Sequence, residues 1–216
     1  MDKAFIFNFD GVLINNEPLW EDAKKELYQN VFGKEVFSRM GSTLGVNMDD
    51  IYNMAVQCGA TVEKDVFIRE FYNQALPIYK NAPLTSGIDS VGEKLTNLGY
   101  KVAIVSASPV DWIEITLNRT KLKNYITYVL SLYDRKDLPH KPAPDGYLEA
   151  MKDLKVSPGT TVILEDSNTG IKSAKASGAY TIGFKENLMK GYVQNDADTY
   201  ANNLDDVIKI LKNLSA

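Results

Sequence analysis

Apolar residues fall into two rhythms along this chain. Short unbroken runs occur at "AFIFNF" (4–9), "KVAIVS" (101–106), "YVLS" (128–131), "TVILE" (161–165) and "YTIGF" (180–184). Runs of this length without polar alternation predict strands buried on both faces, as in a parallel sheet. Between them the spacing becomes helical. Ile88, Val91, Leu95 and Leu98 recur on one face, and Gly99 marks the stop. Ser108 and Pro109 read as an N-cap and a proline at the first helical position, ahead of Val110, Ile113 and Leu117. Pro144 and Asp145 open a helix carrying Leu148, Met151 and Leu154, and Leu204, Val207, Ile208, Leu211 and Leu214 form the last one. Strand alternating with helix over 85–216 predicts an α/β fold with a mainly parallel sheet.

Residues 16–84 break that alternation. "PLWEDAKKELYQNVFG" (18–33), "NMDDIYNMAVQCG" (47–59) and "EKDVFIREFYNQALPIY" (63–79) are all helical in period, with Gly33 and Gly59 as stops. The division expected is a core domain of 1–15 and 85–216 with a helical domain, 16–84, inserted after the first strand. In parallel sheets the carboxyl ends of strands form the ligand crevice, so such an insert is expected to cover it.

Composition adds exclusions. The chain has 216 residues, 44% hydrophobic and 24% charged, with a formal net charge of −4. That balance offers no broad basic surface, so neither nucleic acid nor an anionic membrane is an expected partner. Cys58 is the only cysteine, which rules out an intramolecular disulfide or a cysteine-based metal cluster. Its apolar neighbours predict a buried structural thiol. The start, Met1-Asp2-Lys3 and then "AFIFNF", is too short and acidic for a signal peptide, and no apolar stretch approaches the roughly 18 residues that span a bilayer. A cytoplasmic protein, monomeric or weakly dimeric, is expected.

Four segments lie at or just beyond the carboxyl ends of predicted strands: "NFDGV" (8–12), "VSASP" (105–109), "HKPAPD" (140–145) and "LEDSNTG" (164–170). Each alone has an ordinary reading as a turn, a loop hydroxyl, a solvated lysine or the approach to a helix start. Together, in this order and on one sheet, they are a candidate site. With "GYKVAIVSASP", "KPAPDGYLEAMKDLKVSP" and "VILEDSNTGIKSAKASGAYTIGF" the chain resembles the haloacid dehalogenase superfamily over nearly its whole length. The resemblance is to its phosphatases and phosphomutases with a helical cap after the first strand; "FDGVLINNEPLW" follows the first motif with substitutions.

The resemblance implies a three-layer, Rossmann-like core, a mobile cap, and magnesium-dependent phosphoryl transfer through an aspartyl-phosphate to or from a small phosphorylated metabolite such as a sugar phosphate. It implies magnesium ligands from Asn8, Asp10, Glu165 and Asp166. Ser106 and the amide of Ala107 would hold a phosphoryl oxygen, and Lys141 would gather the carboxylates and stabilise charge on the transferring group. Asp10 would act as general acid/base. These residues suit that chemistry, because a doubly negative ester repels a carboxylate unless nearby cations screen it, and magnesium takes hard oxygen ligands.

Asn8 breaks the pattern at the nucleophile position. A carboxamide is neutral, with delocalised lone pairs, and does not readily form an acyl-phosphate. Three origins stay open: a replacement engineered to trap a ligand, a natural change leaving a catalytically silent binding protein, or an incidental change with slower chemistry elsewhere. Asn15 and Asn16 also depart from the family motif. Among the helical-domain cations Lys24, Lys25, Arg39, Lys64 and Arg69, the substrate-facing candidate is Arg39, in "SRMGSTLG" (38–45) read as a loop. Trp20 stands where β-phosphoglucomutases commonly carry histidine, which weakens that mutase alternative. Trp20, Phe67, Phe71, Tyr72 and Tyr79 are expected to pack the helical domain, and His140 to be a loop residue.

Overall fold

The structure is a computed structural model describing residues 2–41, 43, 46 and 48–214. The chain divides into two compact units, Met1–Asn15 with Ala82–Ala216, and Asn16–Asn81. The first unit resumes at Ala82 rather than at residue 85. The reason is local: Asn15 N–H donates to Pro83 O at 2.9 Å, and the Arg119 guanidinium donates to Ala82 O at 2.6 Å. Thr85 then pins the segment to Val12, its hydroxyl donating to Val12 O at 2.6 Å.

In the first unit the described residues form a six-stranded sheet. Its strands are β1 (Lys3–Phe7), β2 (Tyr100–Ser106), β3 (Ile126–Ser131), β4 (Thr161–Glu165), β5 (Tyr180–Phe184) and β6 (Thr199–Ala201). The spatial order is β3-β2-β1-β4-β5-β6 and every pairing is parallel. The order reverses at β1, so the crevice expected at a topological switch point opens beside its carboxyl end. Register sets the height of the site. Phe7 lies level with Ile104 on β2 and Leu164 on β4, so the residues just past all three strands meet.

Helices cover both faces, and Ala4, Phe5, Ile6 and Phe7 of β1 are fully buried. On one face Ala4, Ile6, Ala103, Val105, Leu130 and Ile163 pack with Tyr147, Met151 and Leu154 of α7 (Asp145–Leu154) and Ala174 of α8 (Asn168–Ala176). α5 (Ile88–Asn97) packs on β2 and on α9 (Leu204–Leu214). Each fully buried valine, leucine, isoleucine or phenylalanine contributes about 1.5–3 kcal/mol, so β1, β2 and β4 together anchor the sheet.

The second unit is helical: α1 (Glu17–Phe32), α2 (Lys34–Arg39), α3 (Met48–Gln57) and α4 (Lys64–Asn81). Its core is aromatic. Trp20 lies 4.9 Å from Phe71 between ring centroids and donates its indole N–H to the Tyr79 hydroxyl, and Phe32 lies 4.9 Å from Phe67.

Several expectations change. α2 and β6 are additional elements, and Ser38 and Arg39 end α2 instead of lying in a loop; Ser42, Leu44 and Gly45 of that stretch lie outside the described residues. Cys58 is half-buried, not buried. Ser108 is not the N-cap of α6 (Val110–Leu117): the Val110 N–H is taken by the Asp134 carboxylate at 2.8 Å, and Ser108 turns elsewhere.

Candidate active site

Asn8 follows β1, and its backbone N–H donates to Leu164 O at 2.9 Å, fixing it against β4. Its side chain is nearly buried and lies between two opposite kinds of group. On one side the amide Nδ2 donates to Asp166 Oδ1 at 2.8 Å and to the Asp10 backbone carbonyl at 2.9 Å. On the other, Oδ1 accepts from Lys141 Nζ at 3.0 Å. Lysine can only donate, whereas a carboxylate and a carbonyl can only accept, so this orientation is the one that satisfies all four groups.

Lys141 is the hub. Besides Asn8 it donates to Glu165 Oε1 at 2.6 Å and to Val105 O at 3.3 Å, with its side chain 10% exposed and Glu165 fully buried. The buried hydroxyl of Tyr147, on α7, donates to the same Oε1 at 2.6 Å. Burial first, then the negative charge of Glu165, raises the Tyr147 phenol well above its ordinary range, so it stays a donor. Glu165 Oε2 accepts from the Asp166 N–H at 3.2 Å and the Ser167 hydroxyl at 3.5 Å.

Two glycines let the acids come this close. Gly11 adopts φ +72°, where a side chain is strained, and a Cβ there would stand 2.2 Å from Asp166 Oδ2. At Gly170 a Cβ would stand 2.1 Å from the Glu165 carboxylate. Ser167 caps α8, its Oγ accepting from the Gly170 N–H at 3.0 Å. From the far side, Gln194 Nε2 donates to Asp166 O at 2.6 Å and Phe184 O at 2.9 Å, tying β5 and its following loop to the site backbone.

The structure thus brings Asn8, Asp10, Ser106, Lys141, Glu165 and Asp166 together at the ends of β1, β2 and β4. Ser106 is buried, its Oγ accepting from the Ser108 N–H at 3.0 Å, while Ala107 is exposed. Asp10 Oδ2 accepts from the Ser108 hydroxyl at 2.5 Å. Glu165, expected among the metal ligands, has its two oxygens bonded to Lys141, Tyr147, the Asp166 N–H and the Ser167 hydroxyl. Arg39 is exposed at the end of α2 of the helical unit, 3.8 Å from Glu35. Lys64 and Arg69 pair with Asp49 and Glu70 in that unit, and His140 is an exposed loop residue. Sequence reasoning missed Ser108, Tyr147 and Gln194 as site residues. A serine two positions beyond Ser106 was the one available signal, and the proline after it favoured a capping role.

The family model for haloacid dehalogenase-like hydrolases matches residues 5–184, which include every residue of this cluster except Gln194. The chain belongs to that family. Among haloacid dehalogenase-like proteins, hexitol phosphatase B of Escherichia coli is 29% identical over 180 residues, covering 81% of this chain and 79% of that protein. The phosphorylated carbohydrates phosphatase of Thermotoga maritima is 24% identical over 180 residues, covering 82% of each. A conserved haloacid dehalogenase-like protein of Agrobacterium tumefaciens has the same fold, with a TM-score of 0.72, 20% identity and full coverage of both chains.

Magnesium, which the haloacid dehalogenase resemblance implies, requires near-octahedral oxygen ligands at about 2.0–2.1 Å. Adjacent corners of such an octahedron are about 3 Å apart, and the separations of 2.8 and 2.9 Å at Asn8 match that edge. The atom at the Asn8 corner does not. It is an amide nitrogen whose protons point at the two oxygens a cation would share. As arranged, the donor set does not fit a magnesium ion. The described residues contain no group of three or more histidine, cysteine or acidic side chains arranged to hold a metal.

Proposed function

We propose that this chain carries a phosphatase-type site for a small phosphorylated carbohydrate, and that with Asn8 in place it holds the ester instead of hydrolysing it. The observation that carries the reading is the Asn8–Lys141–Glu165 chain of hydrogen bonds, with Asp10 and Asp166 beside it at the carboxyl end of the central strand. Membership of the hydrolase family and the phosphorylated substrates named for its two relatives support the ligand class.

Each side chain has a part. Lys141 supplies the positive charge that a phosphoryl group needs, and Glu165 with Tyr147 keeps its Nζ aimed at Asn8. The Ser106 hydroxyl and the Ala107 N–H hold phosphoryl oxygens. Asp10, held through Ser108, is the group that delivers a proton to a leaving alkoxide and later takes one from water. Asn8 contributes a hydrogen bond but no nucleophile, because its carboxamide does not form an acyl-phosphate. By its position after β1, the helical unit is read as the cap that selects the ester. No described helix is long and apolar enough to cross a membrane.

The test is Asn8→Asp, assayed with magnesium for phosphate release from hexitol phosphates and other sugar phosphates. Restoring a nucleophile raises turnover on the best ester by roughly 10⁴–10⁶ over the parent, by analogy with nucleophile deletions elsewhere. Phosphate release no faster than the parent on every ester overturns the phosphatase reading. Isomerisation activated by a bisphosphate, without release, would replace it with a mutase.

A further inference from the structure

We infer that the Asn8 amide takes the place of the metal ion, so that this site is complete without a divalent cation. This rests on the site geometry and on the phosphatase-type reading only for where a cation would otherwise sit. Asp166 Oδ1 and the Asp10 carbonyl converge on one point, and in a site with a carboxylate at position 8 three acceptor oxygens would face one another there. Such a cluster repels itself, and a cation is what holds it together. Here the third group is a donor. One NH2 satisfies both acceptors, at 2.8 and 2.9 Å, and it removes one of the negative charges that would recruit the ion.

The amide cannot easily be turned to admit a cation. Offering Oδ1 to a metal would require a half-turn about the terminal torsion, which brings Nδ2 toward Lys141 Nζ, now 3.0 Å from Oδ1. Lysine has no acceptor to offer it. Lys141 is itself held by Glu165 Oε1 and Val105 O, and Glu165 by Tyr147. Gly11 lies against Asp166 so closely that even a methyl group there would collide with Oδ2. Donors on one side and acceptors on the other therefore fix both the orientation of the amide and the closure of the site.

Manganese serves as a paramagnetic probe of the same oxygen site. In a manganese titration followed by electron paramagnetic resonance, the parent protein shows no saturable site up to millimolar metal, and its thermal midpoint is the same in EDTA and in excess magnesium. Asn8→Asp gains a one-to-one site. At magnesium about 100-fold above Kd its midpoint rises by roughly 5–10 °C over EDTA. One-to-one manganese binding by the parent that is lost in Asp166→Ala overturns the inference, whether or not Asn8→Asp folds. Failure of a folded Asn8→Asp to bind either metal also overturns it, because Asn8 would then not be what closes the site. Metal gained without phosphate release upholds this inference while removing the phosphatase reading, so the two fail separately.

Discussion

At Asn8 a single atom decides what the site can do. Compared with the carboxylate that the proposed phosphatase site would carry at position 8, the Asn8 amide lacks a charge and a nucleophile, and its NH2 makes hydrogen bonds to Asp166 and Asp10. The polar groups around Glu165 keep their partners. Tyr147 shows how strictly. Its hydroxyl lies in a fully buried position and donates to Glu165 Oε1, the oxygen that also receives Lys141. Tyr147→Phe keeps the ring and removes that donor, leaving part of a buried carboxylate unsatisfied. The expected loss is about 1–3 kcal/mol of stability, read from the urea midpoint. An unchanged midpoint would show that Lys141 alone satisfies Glu165.

At the scale of elements, the site depends on how closely α8 approaches the end of β4. Gly170 lies in the first turn of α8, directly against the Glu165 carboxylate. Glycine to alanine inside a helix ordinarily stabilises by up to about 1 kcal/mol. Here the added methyl would stand 2.1 Å from Glu165 and must displace a buried, fully bonded group. Gly170→Ala is therefore expected to destabilise by about 1–3 kcal/mol, as overpacking does, and to weaken phosphate-ester binding through the disturbed Lys141. A stabilised Gly170→Ala variant in urea would contradict this packing. The same closeness explains what the sequence displays and what it conceals. Unbroken apolar runs locate β1, β2, β4 and β5, where burial on both faces leaves a contiguous signal, and only the carboxyl part of β3, an edge strand whose first four residues are partly or fully exposed. β6 has three residues, two of them only half-buried, and α2 has six residues, too short for a 3.6-residue period to show. Ser108 beside Pro109 carries a local capping signal, but its actual partner Asp10 is 98 positions away, and only the sheet register brings them together. Tyr147 likewise falls within the apolar period of α7, where nothing local tells a hydroxyl aimed at Glu165 from a core ring.

For the whole molecule, surface carboxylates of the sheet-bearing unit contribute to the acid limb of stability. Asp137 is lowered to about 2, chiefly by its hydrogen bond to Arg135. Asp2 is lowered by its hydrogen bond and charge pairing with Lys101, Asp205 likewise by Lys94, and Asp206 mainly by Lys209. Asp89 is lowered first by the Lys121 backbone N–H and then by the Thr120 hydroxyl. A carboxyl that loses its proton more readily in the folded chain than in the unfolded one stabilises the fold in full above the ordinary value near 3.9. That contribution disappears as pH falls through the folded value. The urea midpoint is therefore expected to hold steady above about pH 5 as far as these groups are concerned, and to fall between about pH 4 and 2. Salt should shrink part of the drop, because the lysine and arginine pairs are exposed and screened. The Asp89 contribution should persist in salt, since its leading partner is a backbone amide carrying no net charge. A midpoint that falls mainly between pH 7 and 5 would place the acid-sensitive groups elsewhere in the chain.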